Sequence, residues 1–305
     1  MEDNKFLSGY QFMRMADLSV FSTHEPEKWH DAGDYILIDQ QPNINVIAKI
    51  HDSRIIFVKR DFLDFFIKTY NNILQQGVVL ITHCSDIPVL EGDKWILELP
   101  NVAKWYAINT HIKHDKLVTI PIGMTTPDKK HGNMELLQKV IGKHHENTRL
   151  VYANFDVSTN PQQRKPIANL LEKHGYPVIT GKKELDQQEY WEQLAGSKFV
   201  VSPVGNGVDC HRIWESIYLD TIPIVKKHCA LESFEYGNHN LPILFIDDWD
   251  VVTDEFLEKE YNKILKRSIT NNIDTQTAYY DYWNAHIKKS AETPKNPTYF
   301  EFNIT

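Results

Sequence analysis

The chain has 305 residues, 42% of them apolar and 24% charged, which is enough for about two domains of ordinary size with a substantial core. A formal net charge of −8 argues against a binder of nucleic-acid backbones, so any phosphate recognition must be local. Three scattered cysteines (Cys84, Cys210, Cys229) suit a reducing compartment, and neither a signal-like start nor an apolar run near ~18 residues is present. The expectation is a cytoplasmic protein with no membrane span.

In chain order, apolar runs and turn residues predict strands at Tyr35–Asp39, Ile55–Lys59, Val78–His83, Trp95–Leu99, Trp105–Asn109 and Leu117–Ile122. A helix is expected over Arg60–Gln76, where Phe62, Phe65, Phe66, Tyr70, Ile73 and Leu74 recur at helical spacing and Gly77 suits the position after the end. A polar, His-rich bridge at Gly142–Asn147 marks a boundary. Beyond it come strand Leu150–Asn154, helix Gln162–His174, strand Pro177–Thr180, helix Gln187–Ala195, strand Phe199–Ser202, helix His211–Leu219 and strands Ile222–Val225 and Ile243–Ile246. Such alternation predicts doubly wound parallel sheets. Phe256, Leu257, Tyr261, Ile264 and Leu265 give one late helix, and a last one is expected over Thr277–Lys288.

The densest signal is Lys198 to Lys227: a buried strand, the loop Ser202-Pro203-Val204-Gly205-Asn206-Gly207, a helix start and a second buried strand. Glycine and asparagine tolerate positive φ, and glycine lets a ligand approach the backbone. Asp209 is a candidate N-cap. A strand, a glycine loop and a helix N-terminus together make an anion site. Arg212 adds a fixed cation suited to a diphosphate. Glu215, three residues on and on the same face, can accept two hydrogen bonds from a ribose diol. Glycine loops also occur for turn geometry alone. The loop Asn154–Asn160 follows another strand, and Arg164 and Lys165 begin the next helix as cations set against the dipole, where an anion would suit them.

SPVGNGVDCHRIWESIYLDTIPIV (Ser202 to Val225) resembles the C-terminal signature of exostosin-like glycosyltransferases, in the branch related to the ribitol-phosphate xylosyltransferase of animals and its bacterial and viral relatives. VLITHCSD (Val79 to Asp86), KWYAINTHIKHDKLVTIPIGM (Lys104 to Met124) and LVYANFDVSTNPQQRKPI (Leu150 to Ile167) resemble the same branch, in the same order. The family usually has Gly before the Ile-Pro-Ile strand, where this chain has Asp220-Thr221. The resemblance implies a GT-B fold, two Rossmann-like domains facing a central cleft: an acceptor-side domain over 1–146, a nucleotide-sugar domain over 147–270, and a C-terminal helix and tail over 271–305 packing back on the first. It implies transfer from a UDP-sugar, UDP-xylose or a related one, to a hydroxyl of a glycan or polyol-phosphate. It also implies Asn154, Ser158 and Arg164 as donor contacts, beside Pro203, Gly205, Asn206, Gly207, Asp209, Arg212 and Glu215.

An inverting transfer needs a base for the acceptor's proton and stabilisation of the departing diphosphate. Asp86, just past the strand Val78–His83, is the preferred base, with His83 as orienter or alternative. Arg212, the loop amides and the helix dipole would meet the diphosphate without a required cofactor. Asp248-Trp249-Asp250 has the spacing of a Mg²⁺ or Mn²⁺ site, but acids there equally suit a helix start. His111 and His114 lie at metal-like spacing, but Lys113, Asp115 and Lys116 beside them favour a solvated loop. The alternative is a non-catalytic glycan- or nucleotide-binding module on the same scaffold, and a metal-dependent hydrolase using His83, Asp86 and the Asp248 pair is a further one.

Overall fold

The structure, a computed structural model, describes residues 5–129, 131–180, 185–234, 241–270 and 273–292; the tail beyond residue 292 lies outside them. The first half holds six parallel strands: β1 (Leu18–Phe21), β2 (Tyr35–Leu37), β3 (Ile55–Lys59), β4 (Val78–His83), β5 (Val102–Ala107) and β6 (Leu117–Thr119), in the order β2-β1-β3-β4-β5-β6. Its helices are α1 (Gly9–Arg14), α2 (Ile44–Asp52), α3 (Leu63–Tyr70), α4 (Lys94–Leu97) and α5 (Met134–Ile141). The second half holds β7 (Arg149–Asn154), β8 (Val178–Ile179), β9 (Ser197–Val201), β10 (Ile222–Lys226) and β11 (Leu244–Ile246), also parallel, in the order β11-β10-β9-β7-β8. Its helices are α6 (Pro161–Lys173), α7 (Gln187–Ala195), α8 (His211–Tyr218), α9 (Cys229–Glu232) and α10 (Asp254–Ile269). The last described helix, α11 (Tyr280–Ala291), returns to pack on β3, β4 and β5 of the first sheet.

The central strand β4 is buried along its whole length, as a parallel strand covered on both faces must be. In each sheet the chain lays its first strand, its second on one side and its third on the other. The reversal falls between β1 and β3 in one half and between β7 and β9 in the other. A crevice opens at that switch point, outside the strands' carboxyl ends, and ligands bind there in such folds. One apolar cluster joins the halves: Leu7 and Phe12 from the first, Trp214 and Tyr218 from α8, and Trp283 from α11. Tyr218 secures the junction, its hydroxyl accepting from the Leu7 amide at 3.1 Å and donating to the Ala278 carbonyl at 2.5 Å.

Several expected elements differ. Trp95–Leu99 is not a strand: Ile96 and Leu97 are adjacent and both buried, a pattern that a helical corner satisfies, and α4 occupies the place. The long helix expected from Arg60 is shorter, because 3₁₀ turns flank α3 on both sides. β1, α1, α2, α5 and α9 had no predicted counterpart.

Candidate functional site

A cavity of about 370 Å³ opens at the switch point of the second sheet. Asn154, at the end of β7, and Arg164, in the first turn of α6, form one side of it. Cys210, His211, Arg212 and Glu215, from the start of α8, form another. Tyr190 and Gln187 of α7 line its floor and rim, and Thr125 and His131 close it from the first half. Four of the expected site residues (Asn154, Arg164, Arg212 and Glu215) therefore meet in one space. A volume of this order suits a nucleotide-sized group.

The charges in the cavity favour an anion. Arg164 is 5% exposed and has no carboxylate partner among the described residues. It donates instead to the backbone carbonyls of Asp156 at 2.7 Å, Val204 at 2.9 Å and Pro203 at 3.4 Å. Burial, and then the neighbouring Arg212 cation, lower its proton affinity. Arg212 has a buried Nε with no partner among the described residues. Two guanidinium groups that repel each other across a cavity, against the one carboxylate of Glu215, leave an excess of positive charge that a phosphate would neutralise. Glu215, 6% exposed, accepts from the Tyr190 hydroxyl at 2.8 Å. Asn154 donates to the Tyr152 hydroxyl at 2.8 Å, which aims its amide along the cavity wall.

The remaining expected residues lie elsewhere. Ser158 stays exposed in a 3₁₀ turn, its amide bonded to Asp156. The glycine loop turns its carbonyls, not its amides, toward the cavity side: Pro203 and Val204 accept from Arg164, and Gly205 accepts from Asn160 at 2.9 Å. The Gly205 amide bonds the Gly207 carbonyl at 3.0 Å, so it does not wait for a phosphate. Neither glycine has positive φ. Each is glycine because of what lies beside it: a Cβ at 205 would come within 2.9 Å of the Arg164 guanidinium, and one at 207 within 2.4 Å of the Asn109 side chain. Asn109 belongs to the first half and holds the left-handed conformation, φ 52°.

Asp209 is not the N-cap of α8; Cys210 occupies that place. The Asp209 carboxylate, 4% exposed, accepts from the Ile122 amide of the first half at 2.8 Å and from the Trp214 indole at 2.9 Å. It fastens the start of α8 to the loop after β6, and His211, donating to the Gly123 carbonyl at 2.7 Å, adds a second fastening. Gly123 has φ 65°, and a Cβ there would meet the Leu7 carbonyl oxygen at 2.3 Å. It is glycine for close packing at this junction. Burial pushes Asp209 up to about 7, against the hydrogen bonds it accepts.

Asp86 sits exposed just past β4 and accepts from the Asn206 side chain at 3.0 Å, across the cleft from the glycine loop. His83 does not reach the cleft. It is 3% exposed, its Nδ1 accepts from the Cys84 amide at 2.7 Å and its Nε2 donates to the Pro121 carbonyl at 3.2 Å. Burial lowers its pKa to about 4. With both ring nitrogens engaged by the main chain, it neither orients Asp86 nor takes a proton. Asp248 and Asp250 lie in and beside an exposed 3₁₀ turn, where Asp248 accepts from the Trp249 amide and approaches Lys226 at 3.8 Å. Among the described residues no group of three or more His, Cys, Asp or Glu could hold a metal ion. No helix among them is long and apolar enough to cross a membrane.

Tyr190 was not singled out from the sequence. Its neighbours Trp191 and Leu194 are core residues of α7, so it reads as another apolar position of that helix.

Two doubly wound parallel sheets joined by one apolar cluster, with a cation-rich cavity at the switch point of the second, define a GT-B-type α/β protein. Residues 173–292 match the family model of the RXYLT1 C-terminal domain. Among solved structures, that of Anabaena HepE in complex with UDP-glucose is similar at 10% identity over 94% of each chain, with a TM-score of 0.40. No curated protein matches the chain.

Proposed function

We infer that the protein transfers a sugar from a UDP-linked donor, UDP-xylose or a related one, to a hydroxyl of a glycan or polyol-phosphate, with inversion and without a metal ion. The observation that carries this reading is the convergence of Arg164, Arg212 and Glu215 on one cavity at the switch point. Glu215 holds the ribose. Arg212 and the N-terminus of α8 hold the diphosphate and stabilise it as it departs, while Arg164 adds positive potential from behind the loop. The acceptor oxygen attacks the anomeric carbon, the bond from that carbon to the diphosphate oxygen breaks, and its electron pair leaves on UDP. The acceptor's proton passes to Asp86, which stands at the cleft opposite the glycine loop and keeps lone pairs beyond the one engaged by Asn206. The three free cysteines favour a reducing, cytoplasmic setting.

Incubation with a panel of UDP-sugars and hydroxylated acceptors in EDTA, following UDP release, tests the reading. One donor should turn over. Binding of UDP with no turnover of any donor would favour a non-catalytic module, and activity only with added Mn²⁺ or Mg²⁺ would contradict the metal-free mechanism.

A further inference from the structure

The cavity contains a cation and a carboxylate, Arg212 and Glu215, on the same face of α8, and among the described residues no ion pair joins them. Tyr190 stands between the two. Its hydroxyl donates to Glu215 Oε2 at 2.8 Å, and the Arg212 guanidinium bears on that same hydroxyl. A direct pair would direct each charge at the other and leave less of either for a ligand. With the phenol interposed, Glu215 Oε1 has no partner among the described residues, and the Arg212 Nε is buried without one. A carboxylate anchored through one oxygen presents the other in a fixed direction, which an unanchored side chain with free rotamers would not do. The ring is itself held: Tyr152 packs against it with centroids 6.1 Å apart, and the Tyr152 hydroxyl is engaged by Asn154. Removing only the oxygen of Tyr190 therefore leaves the packing in place.

We propose that Tyr190 is a positioning residue of the nucleotide site: it locks Glu215 so that the free carboxylate oxygen accepts from the ribose diol, and so sets the preference for a ribonucleotide donor. This rests on the donor-site reading above. The experiment is calorimetric titration of UDP and of 2′,3′-dideoxy-UDP into wild type, Tyr190→Phe, Glu215→Gln and the double variant, with thermal melts of each. Wild type should prefer UDP by about 10- to 100-fold, the worth of hydrogen bonds to a charged group. Tyr190→Phe should bring that ratio to within about threefold of unity while the dideoxy affinity stays close to wild type, and it should add nothing in the Glu215→Gln background. A merely structural tyrosine would lower both affinities alike and leave the ratio unchanged. That outcome, or a wild-type ratio in Tyr190→Phe, overturns the inference while leaving the donor site standing. Failure of wild type to bind either nucleotide overturns the donor-site reading and the inference with it. Should Tyr190→Phe melt early, Glu215→Gln still decides the point, because a wild-type ratio there removes the group that Tyr190 is held to position.

Discussion

Asp209 gives stability a pH dependence whose sign can be worked out in advance. Its carboxylate lies between the two halves, accepting from Ile122 and Trp214, and burial holds it at about 7 instead of the ordinary 3.8. Between those values the folded chain keeps a proton that the unfolded chain has lost. The contribution is thus fully present below the unfolded value and is lost as pH rises toward 7. Three units at about 1.4 kcal/mol each set a ceiling of about 4 kcal/mol, of which about 3 kcal/mol falls between pH 5 and 8. Asp209→Asn removes this titration at nearly constant shape. Other groups cancel in the comparison, so the stability of wild type relative to Asp209→Asn, from denaturant melts at pH 5, 6, 7 and 8, should decline steadily by that amount. A difference that stays flat, or that grows with pH, would refute the reasoning and show that the Ile122 and Trp214 donors outweigh desolvation.

His83 acts in the opposite sense: its folded pKa is lowered to about 4, so its contribution is present above about 6.5 and is lost as pH falls toward 4. Relative to His83→Gln, wild type should therefore lose up to about 3 kcal/mol on acidification across that window, read from the same melts. Asp220 holds φ 55° just past the end of α8; Asp220→Gly should raise stability by about 0.5–1 kcal/mol in a melt. Gly123→Ala should destabilise by about 2 kcal/mol or more, because its Cβ would meet the Leu7 backbone and not a movable side chain. Asp86→Asn should cut transfer by about 10²–10⁴-fold while UDP affinity changes less than about threefold, separating the base from donor binding.

The parallel sheets were legible because central strands buried on both faces appear as uninterrupted apolar runs: Val78–His83 and Phe199–Val201 could hardly be anything else. Short edge strands and brief helices were harder, since four residues such as Leu18–Phe21 carry too little pattern to show period or length. In the site, Arg212 and Glu215 were legible from helical spacing alone, as both lie on one face of α8 in the structure. The roles of the residues around them depend on partners far away in sequence. Asp209 has the look of a helix cap until Ile122 arrives from the other half, 87 positions distant. The glycines of the loop suggest phosphate approach, but Gly207 is small because Asn109 occupies its side-chain space. His83, at the end of a strand with an acid three residues on, suggests a catalytic pair until the main chain is seen to take both ring nitrogens. Tyr190 carries no local signal, because its importance comes from standing between two residues of another helix.

On the proposed function, the cavity at the second switch point binds the diphosphate of a sugar nucleotide through Arg212. Calorimetric titration of UDP into wild type and Arg212→Ala, with EDTA present, tests it most directly. Wild type should show one site, and the variant a loss of about 1.5–3 kcal/mol, or about 10- to 100-fold. Equal affinity in the two proteins, or no binding to either, would contradict it.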